Sequence, residues 1–442
     1  MFIAVDDTDS RKGMCTTFLA TELVKEFADS QLLDHPRLVR LNPNVPWKTR
    51  GNGAVIITLG KGEEKKARLG RIDEDIYRFD GTNTEVDQEE IFERAKRVVE
   101  RWAEIDQEGT NPGLIVAKER PPEKFYHKAV KDIVELDEVR EYLKEGDHLH
   151  EGFGKGRGLI GAAAALSWMP DDFTYELLTY REKSMWGEPR DVPEKDVIEV
   201  DKRLKNTFDS YDHEENKQAI APSSPCPVLY GIRGEDPEEL KDALGFIGGE
   251  RPERWMLFLT NQGTDDHIQE MKISETEPWT SARVKGKVCS EPRTIEGGHV
   301  LFDLEDGTSE ITSAAYEPTK GFRDTVKELI PGDEVELWGG IRKEPKTLNI
   351  EKMRIIRLED KIVKVRNPEC PECGKRMSSM GTNAGYRCKR CRTKADEDQA
   401  VRKKVERELE EGWYEVPVSA RRHLSKPLIR DNISRSTSRR SS

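Results

Sequence analysis

Long hydrophobic runs are what this 442-residue chain most clearly lacks. Hydrophobic residues make up 35% of it, and no run approaches the roughly 18 consecutive apolar residues that a membrane-spanning helix needs. The chain begins with a short strand-like run and not with the basic and then apolar stretch of a signal peptide. We therefore expect a soluble, cytoplasmic protein without a membrane partner.

Cysteine is scarce, and the seven present are an odd number, which argues against a disulfide scaffold. Four of them form two Cys-x₂-Cys pairs separated by fourteen residues, a spacing that brings four thiolates within tetrahedral reach. The sequence therefore predicts a structural Zn²⁺ site with the ligands Cys370, Cys373, Cys388 and Cys391. A basic surface beside these pairs, with Tyr386 as a stacking ring, is predicted to contact RNA through Lys375, Arg376, Arg387, Lys389 and Arg390.

Positive charge is in deficit overall, because the net charge is −12. The deficit is uneven: residues 361–442 carry 21 Lys and Arg against 11 Asp and Glu, a net of +10, and the first 360 residues carry 52 against 74, a net of −22. An acidic body with a basic C-terminal end suits a protein that holds a polyanion with one part and a cationic ligand with another. A basic end that only aids solubility is the alternative.

The first seventeen residues carry a concentration of acidic and hydroxyl groups. A β-favouring run at residues 2–5 ends in Asp6, Asp7 and Asp9, and Thr16 follows at the start of a helical pattern. Three carboxylates in one loop repel each other unless a cation neutralises them, and oxygen ligands suit Mg²⁺ that carries a nucleotide's phosphates. The alternative is a solvated, Asp-rich turn.

Two further loops carry polar groups on rigid or glycine-rich backbone. The loop at residues 42–53 is rich in Asn, Pro and Gly and is predicted to contact phosphate and bases through Trp47, Lys48 and Arg50, although a plain structural loop is possible. A glycine-rich stretch precedes an apolar helix at residues 159–168 and predicts a triphosphate cradle, although it is no P-loop and a flexible hinge is the alternative. Its residues are Gly154, Lys155, Gly156, Arg157 and Gly158.

The predicted fold is multidomain α+β. Residues 1–170 alternate strands and helices, and residues 171–277 follow a βαββαβ order, typical of a ferredoxin-like domain, with Asp209 and Asp212 as candidates for binding a cation. Residues 278–360 fit a five-stranded OB-type barrel with one helix between its third and fourth strands. Residues 361–398 form the zinc ribbon, and residues 399–442 are expected to hold a helix near 400–411 and a basic, disordered tail.

Five motifs, in this order, resemble those of the archaeal tRNA(Ile) 2-agmatinylcytidine synthetases: VDDTDSxxGMCTT, RLNPNVPWKTRGNGAV, GxGRGLIGA, APxxPCPVLYGIRG and TNQGTDDH. The resemblance implies an ATP-dependent ligase that joins agmatine to C2 of the wobble cytidine, C34, of the CAU-anticodon isoleucine tRNA, so that AUA is decoded as isoleucine. It implies a kinase-like first domain in which Asp6, Asp7 and Asp9 hold Mg²⁺ and the ATP phosphates. Thr16 matches the family's phosphorylated threonine.

The same resemblance implies that residues 154–158 contribute to nucleotide binding, and it implies no obligate protein partner. We further expect Asp209 or Asp212 to bind the guanidinium or the amine of agmatine. Two other classes of function compete with this interpretation. One is a non-catalytic protein that binds RNA or single-stranded DNA through the barrel and zinc ribbon, and the other is a metal-dependent nucleotide phosphohydrolase built on the acidic loop.

Overall fold

The computed structural model of the chain describes residues 1–48, 51–82 and 87–431. The predicted RNA contact Arg50 and the predicted basic tail from residue 432 onward lie outside the described residues. Within the described ranges, no helix combines the length and the apolar character that crossing a membrane requires.

The first unit, residues 1–170, alternates strands and helices as predicted. Its helices show ordinary sequence signals: α2 begins where the Asp87 carboxylate accepts hydrogen bonds from the amides of Glu89 and Glu90, at 3.0 and 3.3 Å. The elements are β1 Phe2–Asp6, α1 Thr16–Glu26, β2 Gln31–Leu32, β3 Arg37–Arg40, β4 Gly53–Ile72, β5 Glu74–Thr82, α2 Gln88–Trp102, β6 Gly113–Ala117, α3 Lys124–Lys131, α4 Leu136–Glu145, β7 His148–Gly152 and α5 Gly158–Ser167.

Two details of this unit differ from the sequence prediction. The apolar spacing predicts a single helix over residues 130–144, but the chain turns extended at Asp132 and Glu135, and two separate helices, α3 and α4, result. Burial of Val134 at this break explains the difference, since apolar spacing alone cannot show where a helix is interrupted. The strand expected over residues 54–59 is much longer, because β4 continues into a hairpin with β5.

The second unit, residues 171–277, continues the same sheet. Its elements are β8 Thr174–Tyr180, α6 Glu194–Arg203, β9 Thr207–Phe208, β10 Tyr211–Asp212, β11 Lys217–Gln218, β12 Val228–Gly234, α7 Pro237–Asp242 and β13 Arg254–Thr260. The shared sheet has the order β7-β6-β1-β4-β3-β13-β8-β12-β9, and β13 joins β3 in parallel. The strand expected at residues 217–221 is only two residues long and pairs with β10 outside this sheet.

β1 lies deep inside the shared sheet and separates two cores. Ile3 and Val5 face the core that contains α1 and α2, and Ala4 faces the core of α3, α4 and α5. Because successive side chains of a strand point to opposite faces, five residues are enough to anchor both layers. The end of β1 is therefore fixed from both sides of the sheet.

The third unit is the predicted closed barrel of five strands. Its elements, with two short flanking strands, are β14 Ile268–Glu270, β15 Ser281–Val288, β16 Arg293–Thr294, β17 Val300–Glu305, β18 Glu310–Ala315, α8 Phe322–Lys327, β19 Glu334–Arg342 and β20 Thr347–Arg357. The barrel closes through the pairs β15–β17, β17–β18, β18–β20, β20–β19 and β19–β15. Helix α8 lies between the third and fourth barrel strands, as the sequence predicted.

The chain then leaves the barrel, forms the small zinc ribbon and comes back. The elements of this part are β21 Ile362–Arg366, β22 Ser378–Ser379, β23 Tyr386–Arg387, β24 Lys394–Ala395, β25 Val401–Lys404 and β26 Gly412–Glu415. The helix predicted at residues 400–411 is wrong, because Val401–Lys404 pairs antiparallel with β21. A partner strand overrides the helical propensity of the Lys- and Glu-rich stretch.

Residues 412–431, which we call the C-terminal segment, run back over the rest of the molecule. β26 adds to the barrel beside β20, and Trp413 packs against Trp338 with ring centroids 4.9 Å apart. Leu424 is buried in the core of α3 to α5, and Arg430 donates to Asp172 at 2.7 Å. The end of the described chain therefore ties the barrel to the first and second units.

Candidate active site

The acidic loop lies where β1 ends, beside the N-terminus of α1. Asp7 adopts a left-handed backbone conformation, with φ of 54°, which turns the chain sharply after Asp6. Asp9 Oδ1 accepts hydrogen bonds from the Thr16 amide at 2.7 Å and from the Thr16 hydroxyl at 3.0 Å. The Thr8 hydroxyl donates to Thr16 Oγ1 at 3.1 Å. The predicted threonine and the predicted carboxylates are thus brought together.

Helix α5 approaches Asp6 so closely that glycine is required on the facing side. A Cβ atom at Gly161 would lie 1.7 Å from Asp6 Oδ2, and one at Gly158 would lie 2.6 Å from the carbonyl oxygen of Asp6. The absence of side chains there lets the N-terminal turn of α5 sit against the acidic loop. The partial positive charge at the start of this helix favours an anion at this place.

Burial gives the acidic loop unusual electrostatics. Burial, and after it the negative charge of Asp7, raise the pKa of Asp6 to about 8. Burial also raises the pKa of Asp7 to about 7, although a hydrogen bond from Asn111 and the charge of Arg157 oppose the shift. Buried carboxylates that resist ionisation near neutral pH form a site that a cation would stabilise. Three such oxygen donors fit Mg²⁺.

The glycine-rich stretch contributes to the site unevenly. Arg157 lines the cleft next to the acidic loop, and its guanidinium lies 4.0 Å from the centre of the Trp47 ring. Lys155 is exposed, and its amide donates to Asn111 Oδ1 at 3.0 Å. Gly154 and Gly156 adopt positive φ values of 58° and 69°, which an L side chain rarely does. The turn therefore aims Arg157, and not Lys155, at the cleft.

The predicted RNA-contact loop forms the opposite wall of the cleft. We call residues 41–48 and 51–53 the cleft loop; Trp47, Lys48 and Asn52 are among its residues that line the cleft. Trp47 is 45% exposed, so one face of its ring is open to solvent while Arg157 covers the other. Burial, and then the nearby charge of Arg422, lower the pKa of Lys48 to about 8.

Asp209 and Asp212 lie away from the described lining of this cleft and bond to the C-terminal segment. Asp209 forms an ion pair with Arg421 in which both side chains are buried. Asp212 Oδ1 accepts from the amides of Glu214 and Glu215, and Asp212 Oδ2 accepts from the Ser419 amide at 2.9 Å. These contacts give both carboxylates a structural role, and their assignment to agmatine stays a prediction.

The four predicted cysteine ligands meet in the zinc ribbon. Their sulfur atoms all lie within 4.8 Å of one another, which fits one tetrahedral metal ion with four thiolate ligands. The surrounding cations are exposed as predicted: Lys375, Arg376, Arg387, Lys389 and Arg390. The expected stacking role of Tyr386 is wrong, because its ring is fully buried and its hydroxyl donates to Glu397 at 2.8 Å.

Comparison with known proteins decides the family. Three family models match the chain: the TiaS TCKD domain over residues 2–155, the TiaS FLD domain over residues 156–267 and the TiaS C-terminal zinc ribbon domain over residues 367–409. The TiaS protein of Methanocaldococcus jannaschii, a tRNA(Ile) 2-agmatinylcytidine synthetase, is 45% identical over 97% of this chain and 98% of its own length. The chain belongs to the TiaS family.

Other TiaS proteins agree over a similar extent. The synthetase of Archaeoglobus fulgidus is 42% identical over 98% of each chain. A solved complex of TiaS with its isoleucine tRNA and ATP superimposes with a TM-score of 0.83 at 41% identity, covering 97% of both chains. A complex of TiaS with the same tRNA, AMPCPP and agmatine does so with a TM-score of 0.81 at 37% identity over 98% of both. The likeness to TiaS thus extends across all the units described above.

Sequence reasoning missed how the cleft loop is held. Asn42, Asn44 and Arg422 bond across units, and the sequence patterns predicted none of these contacts. The motif TNQGTDDH lies in this region: Asn261 accepts from the Arg40 amide, and His267 lies 3.1 Å from Glu351. As a sequence motif it marks only a resemblance, and its structural meaning needs the fold.

Proposed function

We propose that this protein attaches agmatine to C2 of the wobble cytidine, C34, in the CAU-anticodon isoleucine tRNA, with consumption of ATP, so that AUA is decoded as isoleucine. The near full-length likeness to a TiaS complex with isoleucine tRNA, AMPCPP and agmatine carries this proposal. The buried acidic loop beside a helix N-terminus and a hydroxyl group supports it independently. Such a site suits phosphoryl transfer.

The nucleotide site is assigned to the acidic loop and α5. Asp6, Asp7 and Asp9 would hold Mg²⁺, whose charge would neutralise the phosphates and reverse the tendency of Asp6 and Asp7 to stay protonated. The N-terminus of α5 and Arg157 would attract phosphate oxygens, and the turn formed by Gly154, Lys155, Gly156 and Gly158 would present them. Thr16 would accept a phosphoryl group, since its hydroxyl faces the carboxylate of Asp9.

The chemistry requires two kinds of help from the chain. The C2 oxygen of cytosine leaves poorly, so phosphorylation by ATP must precede attack by the primary amine of agmatine. The amine must lose a proton to attack, whereas the guanidinium keeps its charge and needs a carboxylate. Asp209 or Asp212 remains our assignment for agmatine, and binding there would require Arg421 or Ser419 to give way.

The remaining units are assigned to RNA recognition. The strand order β13-β8-β12-β9 supports a ferredoxin-like second unit, the first unit is assigned as kinase-like, and the barrel order supports an OB fold. Trp47, Lys48 and Arg50 would contact the flipped-out wobble base, which an anticodon loop releases at modest cost. The zinc-ribbon cations would contact the tRNA backbone. We place the reaction in the cytoplasm, where tRNA is used.

A reconstituted reaction tests the proposal. Purified protein is incubated with ATP, agmatine and the tRNA transcript, and the nucleosides are then analysed by mass spectrometry. We expect a cytidine adduct of agmatine mass that needs all three substrates. Absence of the adduct would overturn the proposal, ATP cleavage that ignores tRNA would indicate a hydrolase, and tRNA binding without turnover would indicate a binding module.

A further inference from the structure

The cleft loop is fastened to the barrel by side-chain amides. Asn42 Nδ2 donates to the carbonyl oxygen of Trp279 at 2.8 Å, and Asn44 Nδ2 donates to the carbonyl oxygen of Thr280 at 2.9 Å and to Ser281 Oγ at 2.8 Å. Trp279 has a φ of 73°, an unfavourable conformation for a bulky residue. This strained turn leads into β15, so the barrel begins at the wall of the cleft.

Arg422 of the C-terminal segment closes the same joint from the other side. Its guanidinium donates to Asn44 Oδ1 at 2.5 Å and lies 3.3 Å from a carboxylate oxygen of Glu351 on β20. Burial opposes ionisation of Glu351, but Arg422 and then His267 outweigh it and lower its pKa to about 2. Glu351 therefore stays charged near neutral pH and keeps hold of Arg422.

The joint is tightly packed. A Cβ atom added at Gly340 on β19 would lie 2.2 Å from Asn44 Oδ1 and 2.9 Å from Arg422 Nη1. Because packed contacts of this kind move together, a displacement of Arg422 must be felt by the cleft loop. We call the following set the barrel joint: Asn42, Asn44, Trp279, Thr280, Ser281, Glu351 and Arg422.

The cleft loop passes this order on to the acidic loop. Three residues beyond Asn44, the Trp47 ring lies over the Arg157 guanidinium, whose charge acts on Asp7. A continuous path of contacts and charges thus runs from the barrel through Arg422 and Trp47 to the nucleotide site. Small misplacements of such groups lower reaction rates strongly.

We propose that Arg422 is a positioning residue: by joining Glu351 to Asn44 it holds the cleft loop so that Trp47 stacks on Arg157 at the edge of the cleft. The inference rests on the proposed function for its kinetic readout. It assigns a role in the reaction to the C-terminal segment, which follows the zinc ribbon in the chain. Arg422 acts from outside the described lining of the cleft.

A double-mutant cycle between Arg422 and Trp47 tests the proposal. We expect R422A and W47A each to lower kcat about tenfold, with the KM for ATP changed less than about twofold, and the double variant to be no slower than the slower single variant, because both lose the same stacked geometry. R422K should recover part of the rate, since an ammonium group can still donate to Asn44. If the two single effects multiply in the double variant, the proposal is wrong.

R430A is the matched control. Arg430 lies in the same C-terminal segment, and its described bonds go to the second unit, to Asp172 and Glu235 among others, so its loss should be independent of W47A. N44A cuts the joint from the loop side and replaces R422A in the cycle if that variant does not fold. Equal coupling of Trp47 to Arg430 and to Arg422 would show a general loss of stability and would overturn the proposal.

Amide hydrogen exchange gives a result that does not depend on the reaction. In R422A, peptides that cover residues 42–48 should exchange at least about tenfold faster than in the wild type, and those of α2 should not change. Unchanged exchange in the cleft loop would overturn the positioning role whether or not the wild type is active. Faster exchange together with a wild type that forms no agmatine adduct would support the joint and reject only the proposed function.

Discussion

Replacing Asp6 by asparagine should stabilise the protein by an amount that grows with pH. Burial and the charge of Asp7 raise the pKa of Asp6 from 3.8 to about 8, so the folded protein keeps a proton that the unfolded chain releases above pH 4. Stability is therefore lost as the pH rises from about 4 to about 8. At ~1.4 kcal/mol per pH unit, the cost is about 5 kcal/mol at pH 7.5 and about 2 kcal/mol at pH 5.5.

The amide side chain that D6N introduces does not titrate, so this variant should escape the cost. Thermal unfolding of wild type and D6N at pH 5.5 and 7.5, without divalent ions, measures the difference. For a shared sheet of this size, a change of about 3 kcal/mol corresponds to roughly 5 to 10 °C in Tm. We expect the advantage of D6N to increase by that amount at the higher pH, while modification activity is lost.

A control and a metal titration sharpen this test. D171N removes the same charge from an exposed position, and its Tm should follow the wild type at both pH values. Added Mg²⁺ should raise the Tm of the wild type at pH 7.5 more than that of D6N, because an ion that binds only the folded state stabilises it. Parallel Tm curves of wild type and D6N across pH would refute the reasoning about Asp6.

Three further predictions concern other parts of the molecule. T16A should retain tRNA affinity in a filter-binding assay but form no agmatine adduct, and an active T16A would remove Thr16 from the reaction. Zinc chelation, or the C373S substitution, should unfold the ribbon and weaken tRNA binding while ATP still binds, since thiolate ligands supply folding energy there. D209N should lower the free energy of unfolding by about 3 kcal/mol or more because it strands the buried Arg421. If D209N instead raises the KM for agmatine at unchanged stability, the sequence-based assignment of agmatine to Asp209 is correct.

Local patterns were sufficient to predict much of the site. Three carboxylates at a strand end, a glycine-rich turn before an apolar helix and two cysteine pairs are short-range signals with few physical explanations. The acidic loop, Thr16 and Arg157 do lie around one cleft. The close approach of α5 explains why the glycines occur where they do, a reason that needs distances and not spacing.

Contacts between distant parts of the chain could not be predicted in this way. Arg422 and Asn44 are 378 positions apart, and no local periodicity marks such a pair. The strand at Val401–Lys404 depends on its partner β21, so its helix-like composition was misleading. Tyr386 looked like an exposed ring beside cations, and only the packing of the zinc ribbon shows that it is buried.

The position of the C-terminal cations changes what the charge asymmetry means. The excess of positive charge after residue 360 predicted a surface for a polyanion, yet part of it pairs with the acidic body of the same molecule: Arg421 with Asp209, Arg422 with Glu351, Lys426 with Asp172 and Arg430 with Glu235. These charges hold the chain together and are not available to RNA. The tRNA surface of the described C-terminal part must therefore concentrate on the zinc ribbon, whose cations are exposed. Removing exposed ribbon cations should lower tRNA affinity and its salt dependence, whereas removing the paired arginines should act on folding and on the cleft.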